Sequence, residues 1–551
     1  MLGFLILTPL IVGTLGIWVP FKKMSGVIFS ISAALFAFCL QSVIYPSHQD
    51  SRWNFLTLGG YPISLHWQSV PIANWMACLT TLINLLAQVY SAGYFSHDAR
   101  RGYFQSVLLA FTGAMLCTVF GDNLFTQFVG WELMGVGSYL LIGYFRGETS
   151  ARYAASKAML VTRIGDVCFL IAVALAVIHH DNTITAINLH GTAFIAWALI
   201  GAVAAKSAQG PYASWLVDAM AGPTPASALI HAATMVAAGP YLLIRYTLLL
   251  HHTPGGLVTL MILGGSTAVL AAMGAVGSQE IKKLLAFSTV SQLGMMILAI
   301  GMGSPRTAWN LLVAHAFYKA LLFFVSGIAS YRAQSGLLSR MAGSLHRFEF
   351  SALFMMGALG MSGLPPTGGF LAKEALYQTA SHGLDTLMLD LLLSFLGGAY
   401  TAKLVKALIP VKAPPVHRTS YGMLIPSYII SGLVLINFFW HPWVSVRPIF
   451  IEQTWPSLLS IGLGATVGAF WTIPFPLLTG VLYPALWRRI NQLAGWTVWV
   501  DHTLVQGTLT IVTVILWANR LVRWGGSGRA QRYALLSGIA LLAIVIWNIH
   551  V

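Results

Sequence analysis

The sequence predicts an all-α polytopic membrane protein of about 14–16 transmembrane helices, and three observations carry that expectation. Hydrophobic residues fill 57% of the 551 positions and charged residues only 8%, against about a quarter charged in a soluble domain. Apolar runs near the roughly 20 residues a helix needs to cross the hydrocarbon core recur along almost the whole chain. The runs are continuous rather than alternating with period two, so helices are implied and not a β-barrel.

Candidate spans lie at 2–19, 24–45, 71–92, 104–120, 122–144, 158–178, 193–215 and 224–250. They continue at 257–277, 285–303, 308–330, 350–377, 384–409, 422–440, 456–476 and 531–550. The first run has no basic stretch before it and is followed by Lys22 and Lys23, so it reads as a retained span and not a cleaved signal. Cys39, Cys78, Cys117 and Cys168 all fall inside apolar runs without CxxC spacing, which argues against disulfides and against a cysteine metal site. The net charge of +15 is not gathered on a soluble face, so a nucleic-acid partner is not implied. The stretch 501–521 has basic residues on both sides, Arg488 and Arg489 before it and Arg520, Arg523, Arg529 and Arg532 at or beyond its end. It reads as a helix lying along the membrane surface, with one more ordinary span as the alternative.

Basic residues sort onto alternate loops. One side receives Lys22, Lys23, Arg100, Arg101, Arg146, Arg152, Lys282 and Lys283, then Arg332, Arg340, Arg347, Lys412, Arg418, Arg488 and Arg489. The other receives Arg52, Arg306 and Arg447 with the histidine pairs His179-His180 and His251-His252. The first side is therefore expected to be cytoplasmic and the N-terminus outside. Strict alternation of the sixteen spans does not put every loop on its side, so the charge bias outweighs the count.

An ionisable group at membrane depth is costly, which makes it a functional hypothesis by default. Glu132 follows Trp131 in a largely apolar run, and Lys157, Arg163 and Asp166 open the next span. Lys206 interrupts 193–215, His231 sits in 224–250, and Lys373 with Glu374 follow a glycine-rich stretch. His315 and Lys319 are four apart, on one helix face that must meet the bundle interior or a hydrated cavity. Desolvation and a neighbouring carboxylate act on a mid-membrane lysine in opposite directions, a balance that suits proton exchange. Arg163 and Asp166, three apart, read as a structural ion pair, whereas Glu132, Lys206 and Lys373 read as functional. Glu132 is expected to pair with Lys206 across the bundle. For His231 and His315 a relay role and a hydrogen-bonded core role stand side by side.

Two segments break helical rules beside such a lysine. Gly210 and Pro211 follow Lys206, and the run Gly363-Leu-Pro-Pro-Thr-Gly-Gly-Phe precedes Lys373. Proline removes a backbone donor and glycine adds freedom, so both helices should be discontinuous. Broken backbone at membrane depth is tolerated where protein or water satisfies it, and transporters place ion sites there. The opposite order of lysine and break implies two inverted five-helix repeats.

These residues resemble a known family. Gly130-Trp131-Glu132 with the run Ser138-Tyr139-Leu140-Leu141-Ile142-Gly143, Lys157, Val161-Thr162-Arg163-Ile164-Gly165-Asp166 and Lys206-Ser207-Ala208-Gln209 resemble the antiporter-like proton-pumping subunits of respiratory complex I, the NuoL type. So do the run from Asp218-Ala-Met-Ala-Gly-Pro-Thr-Pro to His231, then His315-Ala-Phe-Tyr-Lys319, and Gly369-Phe370 with Lys373-Glu374. The resemblance implies a charge relay on Glu132, Lys206, Lys319 and Lys373, with His231 and His315 connecting. The ion-translocation set expected is these six with Glu374, Lys157 and Asp166. It also implies N-terminal spans at 1–103, antiporter-like repeats at 104–250 and 251–409, and C-terminal spans at 410–551.

Two departures bear on function. Leu311 stands one turn before His315, where the family often has a second histidine. The 501–521 segment would reach only about 30 Å as a helix, too short to strap two neighbouring bundles. The first departure tells against a His-His relay on this helix; a shortened relative of about this length is similar to the DabB-type membrane subunits of bacterial inorganic-carbon accumulation systems. That resemblance implies a multi-pass inner-membrane subunit whose proton or sodium flow energises a soluble zinc-binding, carbonic-anhydrase-like partner of the DabA type. No quinone, flavin, iron–sulfur or nucleotide motif is present in the sequence, so chemistry is expected on the partner and no cofactor on this chain. The alternatives are a proton-pumping subunit of a complex I-type or hydrogenase-linked complex, and a scaffold with a vestigial channel.

Overall fold

The computed structural model describes residues 2–18, 24–58, 61–178, 183–341, 344–345, 348–381, 383–408, 419–439 and 451–470. Lys22, Lys23, His179, His180, Arg347, Lys412, Arg418, Arg447, Arg488, Arg489, the 501–521 segment and the span at 531–550 lie outside the described residues.

The described chain begins with α1 (Leu2–Gly16) and α2 (Met24–Ile44), then β1 (Asp50–Leu58) and β2 (Tyr61–Gln68). Next come α3 (Pro71–Tyr94), α4 (Arg101–Phe120), α5 (Leu124–Ile142), α6 (Thr149–Ile178), α7 (Ile184–His190) and α8 (Ala193–Lys206). Four short helices follow, α9 (Ser214–Asp218), α10 (Thr224–Ala232), α11 (Ala238–Arg245) and α12 (Thr247–His252). Then come α13 (Gly256–Gly277), α14 (Ile281–Gly301), α15 (Pro305–Ala333), α16 (Phe348–Ser362) and α17 (Gly368–Ala380). The last three are α18 (Leu384–Leu408), α19 (Tyr421–Phe439) and α20 (Ile451–Phe470).

Among the described residues ten segments are long and apolar enough to cross a membrane, so the polytopic all-α class holds. Within the bundle, α4, α14 and α15 are buried almost all round, while α2, α6, α13 and α19 turn much of their surface outward. A helix apolar on every side has no preferred solvent face and takes the centre. The central helix α15 packs on α10, α14, α16, α17 and α19, and α6 packs on α5 and α8. Where helices meet most closely the contact is glycine. A Cβ on Gly264 of α13 would lie 2.6 Å from the Gly294 carbonyl oxygen of α14, the small-residue packing that lipid-embedded helices use.

Both expected breaks are present. Lys206 ends α8, and Ala208 and Gly210 take left-handed φ values of +56° and +57°. The freed groups find partners, as the restriction on irregular backbone at membrane depth requires. Gly210 N donates to Thr267 Oγ1 (2.9 Å) and Trp215 Nε1 to the Ala205 carbonyl (2.9 Å). The second break runs from Gly363, φ +83°, to Thr367, and includes a cis Pro365–Pro366 bond.

Two expectations need correction. The run 224–250 is not one span but α10, α11 and α12. Pro240 has no N–H to give the Val236 carbonyl four residues earlier, so the helix parts there. Ser207 Oγ, from the first break, supplies the missing bond at 2.8 Å. Interrupted backbone in this region therefore involves two neighbouring segments.

The second correction is the antiparallel hairpin β1–β2, which pairs Asp50 with Gln68 and Leu58 with Tyr61. Its signal is legible afterwards, since alternating runs flank Gly59-Gly60. Its second strand is stitched to the α4–α5 junction. Asn123 Nδ2 donates to the Ser64 carbonyl (2.9 Å), and the His66 amide donates to Thr126 Oγ1 (2.8 Å). The His66 ring lies between Asp50 Oδ1 (2.6 Å) and Asp122 Oδ2 (3.4 Å). Burial pushes the Asp122 carboxyl up from its ordinary range, against the opposing pull of His66 and Arg245.

Candidate functional site: a line of buried charges

The first group gathers on α5, α6 and α8. Lys206 is fully buried, and its Nζ lies 3.1 Å from Asp166 Oδ1 and donates to the Trp131 carbonyl at 3.1 Å. The indole of Trp131 holds the same carboxylate, Nε1 to Oδ1 at 2.8 Å, and lies beneath the ammonium, 5.1 Å from the ring centroid. Arg163 Nε stands 3.5 Å from Asp166 Oδ2, and Arg163 also pairs with Glu132. A Cβ placed on Gly135 would sit 3.5 Å from Arg163 Nη2 and 3.6 Å from Lys206 Nζ, so a side-chain-free position leaves room for both cations.

The expected direct pairing of Glu132 with Lys206 is therefore overturned: Asp166 is the partner of Lys206, and Glu132 binds Arg163. One residue along a helix turns the side chain by about 100°. Trp131 consequently points to α6 and α8, while Glu132, with 22% of its side chain exposed, points to the outer edge. Arg163 and Asp166 do form the expected mutual pair, and each also reaches a further charge.

The second group surrounds α15. Lys319 is fully buried, and its Nζ donates to Ser288 Oγ (2.6 Å) and the Leu285 carbonyl (3.4 Å) of α14 and approaches Met361 Sδ (3.8 Å) of α16. The Lys319 charge acts on both His231 and His315. His315 meets the backbone of Ala232, the residue after His231, so the two imidazoles lie near one another. His231 packs its ring on Phe323, centroids 4.9 Å apart, and neither ring nitrogen has a hydrogen-bond partner among the described residues.

The third group lies at the second break. Lys373 Nζ donates to the carbonyls of Met361 (2.9 Å) and Ser362 (3.1 Å), at the C-terminal end of α16. An ammonium is favoured there by the free carbonyls and the negative end of the helix dipole. Met361 thus meets Lys373 through its carbonyl and Lys319 through its sulfur. Glu374 faces Gln378 Nε2 and Ser457 Oγ, each at 3.5 Å.

Lys157 stands apart from these groups. It pairs with Asp218 Oδ2 at 2.8 Å, near Lys282, which donates to the carbonyls of Met220 and Gly222. Its expected place in the line becomes one at the end of the bundle that bears the basic α13–α14 loop. His251 and His252 are exposed in the last turn of α12.

Several members of the site escaped the sequence reading. In the sequence Trp131 is marked only by its place beside Glu132. Along α14, Ser288 receives Lys319, the Val290 carbonyl accepts from Gln209 Nε2 (3.5 Å), and Gln292 Nε2 reaches Tyr400 Oη (3.4 Å). These are polar rungs between the lysines, but a lone serine or glutamine in an apolar run has no distinguishing pattern. Asp390 did carry one, as a buried carboxylate in the run 384–409.

Comparison with known proteins covers the same stretch. Residues 121–397 match the family described as NADH:quinone oxidoreductase/Mrp antiporter, TM. NADH-quinone oxidoreductase subunit L of Campylobacter jejuni is 30% identical over 472 residues, 82% of this chain and 79% of that protein. NADH-ubiquinone oxidoreductase chain 5 of Candida albicans is 34% identical over 466 residues, covering 78% and 84%. In structure, a chain of the Mrp complex from Dietzia sp. is similar with a TM-score of 0.76 at 24% identity. The match covers 100% of this chain and 63% of that one.

Proposed function

Because the chain belongs to the NADH:quinone oxidoreductase/Mrp antiporter family of membrane subunits, we propose that it conducts protons along the Glu132–Lys373 line to energise inorganic-carbon uptake by a soluble, zinc-binding, carbonic-anhydrase-like partner of the DabA type. The observation that carries the conduction is the buried Lys206–Asp166 pair at a helix break. The charges along the line balance, with Arg163, Lys206, Lys319 and Lys373 set against Glu132, Asp166, Glu374 and Asp390. Protons are favoured over sodium by the chemistry of the central section. Lys319, His231 and His315 offer ammonium and imidazole groups there, whereas hard metal cations are held by oxygen ligands. Lysine and histidine can each release and regain a proton, so a relay through them needs only small rotations of side chains and water.

The opposite order of lysine and break at Lys206 and Lys373 supports the inverted repeats at 104–250 and 251–409. The basic loops support an inside position for the Lys157–Asp218 end of the bundle, and hence an N-terminus outside the inner membrane. Lys283, 42% exposed, and exposed His252 are the sites for the check, since Lys282 holds two loop carbonyls. Single cysteines at 283 and 252 should label from opposite faces of intact cells. Labelling from one face would overturn the orientation.

The short 501–521 segment supports the carbon-uptake setting over a strapped row of antiporter subunits. The curated relatives, named as subunits of NADH oxidoreductases, favour instead a redox-driven complex as the second reading. Co-purification with the tagged chain separates the two, since a zinc protein is expected on the first reading and a redox complex on the second. In a carbonic-anhydrase-deficient host at ambient CO2, growth should return when chain and zinc partner are expressed together, and not with the chain alone. Rescue by the chain alone would place the chemistry here and sink the proposal.

A further inference from the structure

Asp390 lies in the second turn of α18, six residues and about 9 Å from its first residue. It is 3% exposed. Ser394, Gly397 and Thr401 follow it at intervals of four, three and four, so they share its face, and all are buried. That face meets Lys373 seven residues, about 10 Å, further along from Asp390, because a Cβ on Gly397 would lie 3.4 Å from Lys373 Nζ. An ammonium has three N–H bonds. Two of those on Lys373 go to the Met361 and Ser362 carbonyls, with α18 on the side that remains. Lys373 and Glu374 are the charges that act on Asp390, yet no ion pair to Asp390 forms among the described residues. A carboxylate kept for stability would close onto the cation, since an unpaired buried charge is strongly unfavourable. Here the lysine rests on carbonyls while the carboxylate stands by.

From this placement, and resting on the proton-conduction reading, we propose that Asp390 receives the proton that Lys373 releases, passed along the shared face by the Ser394 hydroxyl and water between them. The N–H bond of the ammonium breaks, each hydroxyl or water between takes up one proton as it gives up another, the O–H bond of the Asp390 carboxyl forms, and Lys373 is left neutral until a proton reaches it from the Lys319 side. Asp390 and Glu374 then form the last carboxylate station before the end of the bundle where α17 meets α18. That end also holds the start of α15, since Thr307 and Thr379 hydroxyls lie 3.2 Å apart.

The test uses the full chain in its native membrane as wild type, Asp390→Asn and Asp390→Glu. Infrared difference spectra between acid and alkaline pH report the carbonyl stretch of a protonated carboxyl group, whatever drives transport. Proton flux per inserted molecule is measured alongside. Asp390→Asn should lose one such band and on the order of a hundredfold of the flux. Asp390→Glu should restore both, with a displaced pH midpoint. If Asp390→Asn inserts poorly, Lys373→Gln with Asp390→Asn removes both charges and should recover the amount of protein without the flux. A structural pair predicts recovery of both. An unchanged carboxyl spectrum in Asp390→Asn, or near-normal flux in it while Lys206→Ala is inactive, would overturn the proposal. Near-normal flux in Lys206→Ala as well would instead bring down the conduction reading on which it rests.

Discussion

Membranes carrying Lys206→Ala are expected to hold the inserted protein and to conduct on the order of a hundredfold less than wild type. Alanine removes the group that Asp166 Oδ1 and the Trp131 carbonyl share. Asp166 keeps the Trp131 indole and Arg163, so the carboxylate is not left bare. Breaking a buried pair still costs about 3–5 kcal/mol, and flux must therefore be normalised to the amount inserted. Lys206→Arg separates the explanations. Guanidinium preserves the charge opposite Asp166 but cannot give up its proton at any relevant pH, so a relay fails while a structural pair survives. The arginine form should be present in near-normal amount and silent. Near-normal flux in it would reduce Lys206 to a structural charge. Asp166→Asn should join the inactive group, a consequence of Asp166 rather than Glu132 being the partner.

Gly363→Ala is expected to abolish transport without touching a charged residue. A Cβ there would stand 2.5 Å from Lys373 Cδ, inside any real contact, and the backbone at φ +83° is one that an L side chain rarely adopts. Left-handed backbone alone costs a non-glycine residue about 1–2 kcal/mol. The lysine stem must move, and with it the ammonium that the Met361 and Ser362 carbonyls hold. Two further alanines calibrate the result. Gly277→Ala meets nothing within 4 Å and should behave as wild type, while Gly397→Ala brings a methyl group to 3.4 Å from Lys373 Nζ and should be mild. Equal flux from all three would show that the position of Lys373 does not matter.

The outcome for each residue reflects what kind of information carried it. Lys206, Lys319 and Lys373 stand out in sequence because a charge in an apolar run is expensive wherever it points, and all three are buried. The breaks at Gly210-Pro211 and Gly363 were legible for a similarly local reason, since glycine and proline act on their own turn of backbone. Pro240 carries the same local signal, but the run that flanks it is apolar enough to read as one span. Asp390 is marked by the same cost as Glu132, a carboxylate in an apolar run. The hairpin was hidden for another reason. Two short strands between long apolar helices have little hydropathy contrast of their own.

By itself the sequence determined that this chain lives in a membrane, that its helices break beside two lysines, and that its charges run through the interior. Each follows from the cost of moving a group out of water, which depends on residue type and near neighbours along the chain. Only the tertiary structure decided which charges meet. Whether Lys206 faces Glu132 or Asp166 depends on a rotation of about 100° per residue and on which helix lies alongside. Met361 comes to stand between Lys319 and Lys373, and α18 comes to lay Gly397, on the face it shares with Asp390, against Lys373. Such pairings join residues from separate helices, and their geometry is set by glycine contacts and packing that no local pattern encodes.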